Sequence, residues 1–179
     1  MEYQRAVLFP DHKNEIEILG PSIVELLKSI PSSPLEEELL ENIKPLNLMT
    51  KKVVLAVIHN SKPAHWSLLV YIPNGNIYHM DSLNSVNNEV AKTFASRLQH
   101  ALKLNDCEFI EKQSSKQDNN YDCGLFVIAN SGKTLEHIIS DGKPMSEDFK
   151  TPLQLESKEK RNELLKIVQE LTKQQSDKK

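Results

Sequence analysis

Gln117-Asp118-Asn119-Asn120-Tyr121-Asp122-Cys123-Gly124 runs directly into the apolar stretch Leu125 to Ala129, so a single thiol stands where a turn-rich loop becomes a buried helix. The rest of the chain is organised around Cys123. Asp118, Asn119 and Asn120 are residue types that favour turns and helix caps, and Gly124 is expected to let another backbone approach closely behind the cysteine. A thiol is strongly nucleophilic only as thiolate, and the first turn of a helix offers unpaired N–H groups and a partial positive charge that favour that form. The same residues suit a second reading, in which Cys123 is a small buried apolar side chain heading a core helix. Taken alone, Cys123 leaves both open.

Upstream, Ala64-His65-Trp66-Ser67-Leu68-Leu69-Val70-Tyr71-Ile72 reads as a strand that opens on polar and aromatic residues, and Ile77-Tyr78-His79-Met80-Asp81-Ser82 as another. Pro73-Asn74-Gly75-Asn76 between them is a turn signal, and the two runs are expected to pair as a β-hairpin. That pairing sets His65, near the start of one strand, beside Asp81, near the end of the next. A cysteine nucleophile needs an imidazole base, and the imidazole needs a carboxylate to hold its tautomer and orientation. His59 and His79 compete for the role. His79 shares a strand face with Asp81, because alternate residues of a strand point the same way. His65 is preferred because Trp66 and the hairpin geometry accompany it. Gln117 carries an amide that can stabilise the oxyanion of a tetrahedral intermediate together with the Cys123 N–H, or can lie on the surface without such a role; Gln113 competes with it. Trp66, the only tryptophan, suits a core position beside a strand.

His65-Trp66-Ser67-Leu68-Leu69-Val70, Met80-Asp81-Ser82 and Gln117 to Gly124 together resemble the ubiquitin-like-protein-specific cysteine proteases, the sentrin-specific or adenain-like group. The match continues through Pro45-Leu46-Asn47-Leu48 and Lys52 to Val57, covers roughly Ile18 to Lys173, and looks closest to the deneddylase branch. It implies an α+β papain-like fold, a small mixed sheet flanked by helices, with the site where a helix over 121–139 meets the sheet. The implied roles are Cys123 as nucleophile, His65 as base, Asp81 as its orienting carboxylate and Gln117 as oxyanion donor. Trp66 would help form the narrow channel for the glycine-ending tail of the modifier. No cofactor is implied, and the expected partner is a ubiquitin-like modifier, the neddylation modifier first. The family's further N-terminal stretch, with its Trp-Leu-Asn/Asp-Asp-type motif, has no counterpart here. A catalytically weak or inactive module that binds such a modifier is therefore the alternative function. Acyl transfer from a thioester to an amine is a third.

The remaining sequence is consistent with a single catalytic domain over 18–173, a weakly ordered lead-in over 1–17 and a polar tail over 174–179. A chain of 179 residues can bury ~70% of its unfolded surface around one core. Apolar residues make up 39% of it and the mean hydropathy is −0.46; no run approaches the ~20 apolar residues of a membrane helix. The 22 basic and 25 acidic residues are dispersed, leaving no electrostatic footprint for nucleic acid. Cys107 and Cys123 do not make a disulfide framework. With no signal-peptide pattern at the N-terminus, the expectation is a monomer of the cytoplasm or nucleus. Nor does any set of residues have zinc-ligand spacing.

Helices are expected over Ser22 to Ile30, after the capping box Ser33-Pro34-Leu35-Glu36, over Val86 to Leu104 and over Pro152 to Thr172. Val53 to Ile58 is expected to be the central strand, and Cys107 to Glu111 a further one, with Cys107 an inert packing residue. Gly132 is the expected weak point of the helix that follows Cys123.

Overall fold

The computed structural model describes residues 1, 9–29, 43–146, 149 and 157–176. Five strands form one mixed sheet in the order β1 (Ile16–Leu19), β2 (Val53–Ser61), β3 (Ala64–Tyr71), β4 (Ile77–Met80) and β5 (Phe109–Lys112). The two outer pairs, β1 with β2 and β4 with β5, are parallel; β2, β3 and β4 run antiparallel. The β-branched run from Val53 does make a strand buried on both faces, but β3, not β2, is central. β1 claims one flank of β2, with Ile16 opposite Val53, and so displaces it from the middle. Ile16 is fully buried. Ile16 and Glu17, expected in the lead-in, thus belong to the sheet with Ile18.

Alternation along the strands divides the core. Val54, Ala56, Ile58, Leu69, Tyr71 and Ile77 face α1 (Pro21–Ser29) and α2 (Asn88–Leu102), which cover one side through Val24, Leu27, Phe94 and Leu98. Val53, Leu55, Leu68, Val70 and Met80 face the other side, closed by α3 (Cys123–Leu135) through Val127 and Leu135. The β3–β4 turn forms as its sequence predicts: Ile72 N–H donates to Asn76 O at 3.1 Å, Gly75 N–H to Ile72 O at 2.9 Å, and Asn74 takes the left-handed conformation that asparagine tolerates, at φ 60°.

Some boundaries differ from expectation. α3 passes through Gly132 unbroken to Leu135, and the irregularity comes later, as a wider π turn over Glu136–Ser140. Helix α4 spans Ser157–Ser176, so the start of the polar tail is helical; Leu164 on it is half-buried, while Leu165 is exposed. The capping-box segment from Ser33 and the stretch around Leu155 lie outside the described residues. Cys107 sits just before β5, half-buried against the α1–α2 side of the core, and burial pushes its thiol up.

Candidate active site

His65 is the second residue of β3 and Asp81 the first after β4, and the register Leu68↔Met80 carries both past the end of the ladder together. His65 Nε2 donates to Asp81 Oδ1 at 2.6 Å, with His65 1% and Asp81 5% exposed. The hairpin predicted from the turn signal therefore joins the two residues that sequence reasoning paired. With Nε2 held by the carboxylate, Nδ1 is the ring nitrogen left to exchange a proton with a nucleophile.

Burial by itself would push the Asp81 carboxyl up, but hydrogen bonds from His65, Asn87 N–H and Leu83 N–H outweigh it and hold the group at about 2. Leu83 N–H reaches Oδ1 and Asn87 N–H reaches Oδ2, each at 2.8 Å. Wrapping the backbone this tightly around one side chain puts Asn84 and Ser85 successively at positive φ, 44° and 63°. Backbone strain of this kind persists where surrounding contacts over-determine it. Asn87, fully buried, also donates through Nδ2 to His65 O at 3.2 Å and Ser67 Oγ at 3.1 Å, tying both members of the pair to one residue. Sequence reasoning missed Asn87. It fell inside the run read as a helix from Val86 and carried no signal of its own, and only the fold turns it toward β3.

His79 goes elsewhere. It is 1% exposed, its Nε2 lies 2.9 Å from Ser67 Oγ, and burial pushes it down to about 4, with His65 and Lys116 acting the same way and Asp81 opposing. It is thus a neutral histidine paired with a hydroxyl. The ring of His59 stacks on Trp66 with 4.2 Å between centroids, and Trp66 itself is half-buried against the α3-side core.

Gln117 is buried, whereas Gln113 is exposed. Its amide is held at both ends: Oε1 accepts from Ser82 Oγ at 2.6 Å, and Nε2 donates to Asn119 O at 2.6 Å. Its backbone N–H donates to Ser82 O at 3.0 Å. The same loop is sewn to Asp81, whose carbonyl accepts from Ser114 Oγ at 2.8 Å and Lys116 Nζ at 3.1 Å. From Gln117 the chain needs only six residues to reach Cys123. Asn119 shapes the turn as an Asx motif, its Oδ1 accepting from the N–H groups of Tyr121 and Asp122. Buried Asp122 takes Asn119 Nδ2 at 2.9 Å and the Arg161 guanidinium from α4.

Cys123 is then the first residue of α3, 6% exposed, a free thiol on a helix that packs across β3. One detail of the sequence reading is corrected. A Cβ on Gly124 would meet nothing within 4 Å among the described residues, so no close backbone approach requires the glycine there. Among the same residues, no three His, Cys, Asp or Glu side chains gather to hold a metal ion.

The arrangement can be set against known proteins. A family model described as the Ulp1 protease family, C-terminal catalytic domain, matches residues 12–162. This chain belongs to the Ulp1 protease family. Among similar curated proteins, sentrin-specific protease 8 of Homo sapiens is 36% identical over 138 residues, covering 73% of this chain and 64% of the human protein. NEDD8-specific protease 1 of Arabidopsis thaliana is 30% identical over 136 residues, covering 71% of this chain and 59% of the plant protein. The Ulp1-family chain thus matches less than two thirds of the length of these relatives. Its fold is shared with the Xanthomonas campestris effector protein XopD, solved bound to ubiquitin, at a TM-score of 0.66 and 20% identity over 92% of this chain and 84% of that one. A de-sumoylating protease matches at 0.60 and 19% identity over 76% and 58%.

Proposed function

We propose that this chain is a cysteine peptidase and isopeptidase that cleaves after the C-terminal glycine of a ubiquitin-like modifier, with NEDD8 as the preferred modifier. The observation that carries the reading is the buried 2.6 Å His65–Asp81 pair, tied through Ser82 and Gln117 to the loop that delivers Cys123. Family membership supports the reaction type, and the names of the curated relatives support the modifier.

In this reading Cys123 passes its proton to His65 Nδ1 and its sulfur attacks the glycine carbonyl carbon. The resulting oxyanion accepts hydrogen bonds from the Cys123 N–H and from the Nε2 hydrogen of Gln117 that is not bound to Asn119. Collapse breaks the C–N bond, and the departing amine takes its proton from His65. A thioester on Cys123 remains. Water, deprotonated by His65, attacks it, freeing the modifier's carboxylate and restoring the thiol. Asp81 stays ionised throughout and stabilises the imidazolium. Trp66, stacked on His59, forms one wall of the channel for the modifier's tail. The proposal includes a monomer, and a setting in the cytoplasm or nucleus that two unpaired cysteines support, a pattern typical of reducing compartments.

The test is reaction of the purified chain with NEDD8, sentrin-type modifier and ubiquitin, each carrying a thiol-reactive electrophile in place of the terminal glycine carboxylate. An adduct with NEDD8 that disappears in Cys123→Ala is expected. Binding without an adduct would overturn the peptidase reading in favour of a non-catalytic module, and an adduct with another modifier would correct the substrate.

A further inference from the structure

We infer that Ser82 is a positioning residue that fixes the plane of the Gln117 amide and so aims its free N–H at the oxyanion. The inference rests on the oxyanion role proposed for Gln117 and assigns a function to a residue that no other part of the mechanism uses.

A primary amide has two hydrogens on one nitrogen. One hydrogen bond lets the group swivel about the N–H···O axis, and the direction of the second N–H then wanders. A second bond, to the amide oxygen, stops that rotation. At Gln117 the first is Nε2 to Asn119 O at 2.6 Å. A backbone carbonyl only accepts, so it settles which end of the amide is nitrogen. The second is Ser82 Oγ to Oε1 at 2.6 Å, and because Oε1 also only accepts, the serine hydroxyl is the donor. Ser82 is 3% exposed, which keeps water from replacing it freely.

Ser82 also accepts the backbone N–H of Gln117 at 3.0 Å, so the residue holds Gln117 by main chain and side chain together. It is moreover the residue after Asp81. The same Asp81–Ser82 step therefore orients the base through one residue and the oxyanion donor through the next. Preorganised donors are effective because they do not have to reorient as charge develops, and losing one entirely costs roughly 10²–10³-fold in kcat. An amide left on a single anchor should lose part of that, about tenfold.

The experiment is a double-mutant cycle of Ser82→Ala and Gln117→Ala on a modifier carrying a C-terminal amide-linked reporter, with alkylation of Cys123 by iodoacetamide measured on the same samples. Ser82→Ala is expected to lower kcat about tenfold with KM within twofold, to leave alkylation within twofold because that reaction forms no oxyanion, and to add nothing further in the Gln117→Ala background. Unchanged kcat, a parallel fall in alkylation, or additive losses would each overturn the inference. A Gln117→Ala variant as active as the parent would instead overturn the oxyanion role beneath it. A second readout needs no turnover: the ¹⁵N relaxation order parameter of the Gln117 side-chain NH₂ should be high in the parent and fall in Ser82→Ala, and an unchanged order parameter would sink the inference even in a chain that cleaves nothing.

Discussion

The β3–β4 hairpin is built on different physics at its two ends. At the turn, Tyr71 faces Ile77 across the ladder, both fully buried among apolar side chains of α1 and α2. At the other end, His65 and Asp81 are nearly as buried but sit in a net of hydrogen bonds that includes Asn87, Ser114, Lys116 and, through Ser82, Gln117. Apolar contacts are non-directional, so the turn end holds the hairpin together without specifying where any one atom points. Hydrogen bonds to a buried carboxylate are directional and are costly to leave unmade. The difference separates stability from orientation along one pair of strands.

Substitutions at the two ends should therefore fail in different ways. The largest effect is expected at Asp81→Asn. Oδ1 already serves His65 and Leu83, so the new NH₂ group faces the Asn87 N–H, donor against donor. The imidazole keeps an acceptor at Nε2 but loses its counter-charge, and kcat should fall about 10²–10⁴-fold. Steady-state kinetics on a reporter-linked modifier would measure it; a loss below tenfold would mean that the pair is structural only. At the turn end, Ile77→Ala should instead cost about 2–5 kcal/mol in urea unfolding, with kcat changed less than about twofold well below the midpoint. A comparable loss of kcat there would erase the distinction between the two ends.

His79 lies between them and gives the hairpin a pH signature. Its folded value, about 4, is below the usual 6.5, so the unfolded chain takes up its proton first. Its contribution to stability is complete above pH 6.5 and is lost as pH falls from 6.5 toward 4, by about 3 kcal/mol in all. Asp81 acts lower: its stabilisation is present above its usual 3.8 and disappears as pH falls through about 2. Denaturant midpoints followed from pH 7 to 4 should fall in the parent and stay nearly flat in His79→Gln. An unchanged slope in the variant would assign the effect to another group. The smallest effect is expected at Tyr71→Phe. The phenol, pushed up to about 12 by burial, gives its hydrogen bond to the thioether of Met49, a weak acceptor, so the loss should be about 0.5 kcal/mol or less by thermal unfolding. A loss of several kcal/mol would show that the turn end also depends on directional contacts.

The apolar half of this comparison was legible in the sequence. Val53 to Ile58, the run from Leu68 to Tyr71 and the Pro73–Asn76 turn named their strands and hairpin, because alternation and turn chemistry are local properties. The pairing of His65 with Asp81 followed from that hairpin. The strand from Ile16 was not legible: four residues with a charge at the second position make a weak pattern, and only parallel pairing to β2 buries them. Nor was the exclusion of His79. Alternation placed it on the same face as Asp81, and the register that sets it opposite Leu69 brought Ser67, two residues along β3, to it as a different partner.

What the sequence by itself determined is the set of chemical groups, a thiol at a loop-to-helix junction, an imidazole and a carboxylate on successive strands and an amide shortly before the thiol, because each is signalled by its own neighbours. The tertiary structure decided how they are held. Asn87 tied to Asp81 and His65, Ser82 clasping Gln117, and Arg161 reaching Asp122 join residues distant in the chain, and such contacts leave no periodic trace because their energy depends on direction and burial that only the assembled fold supplies.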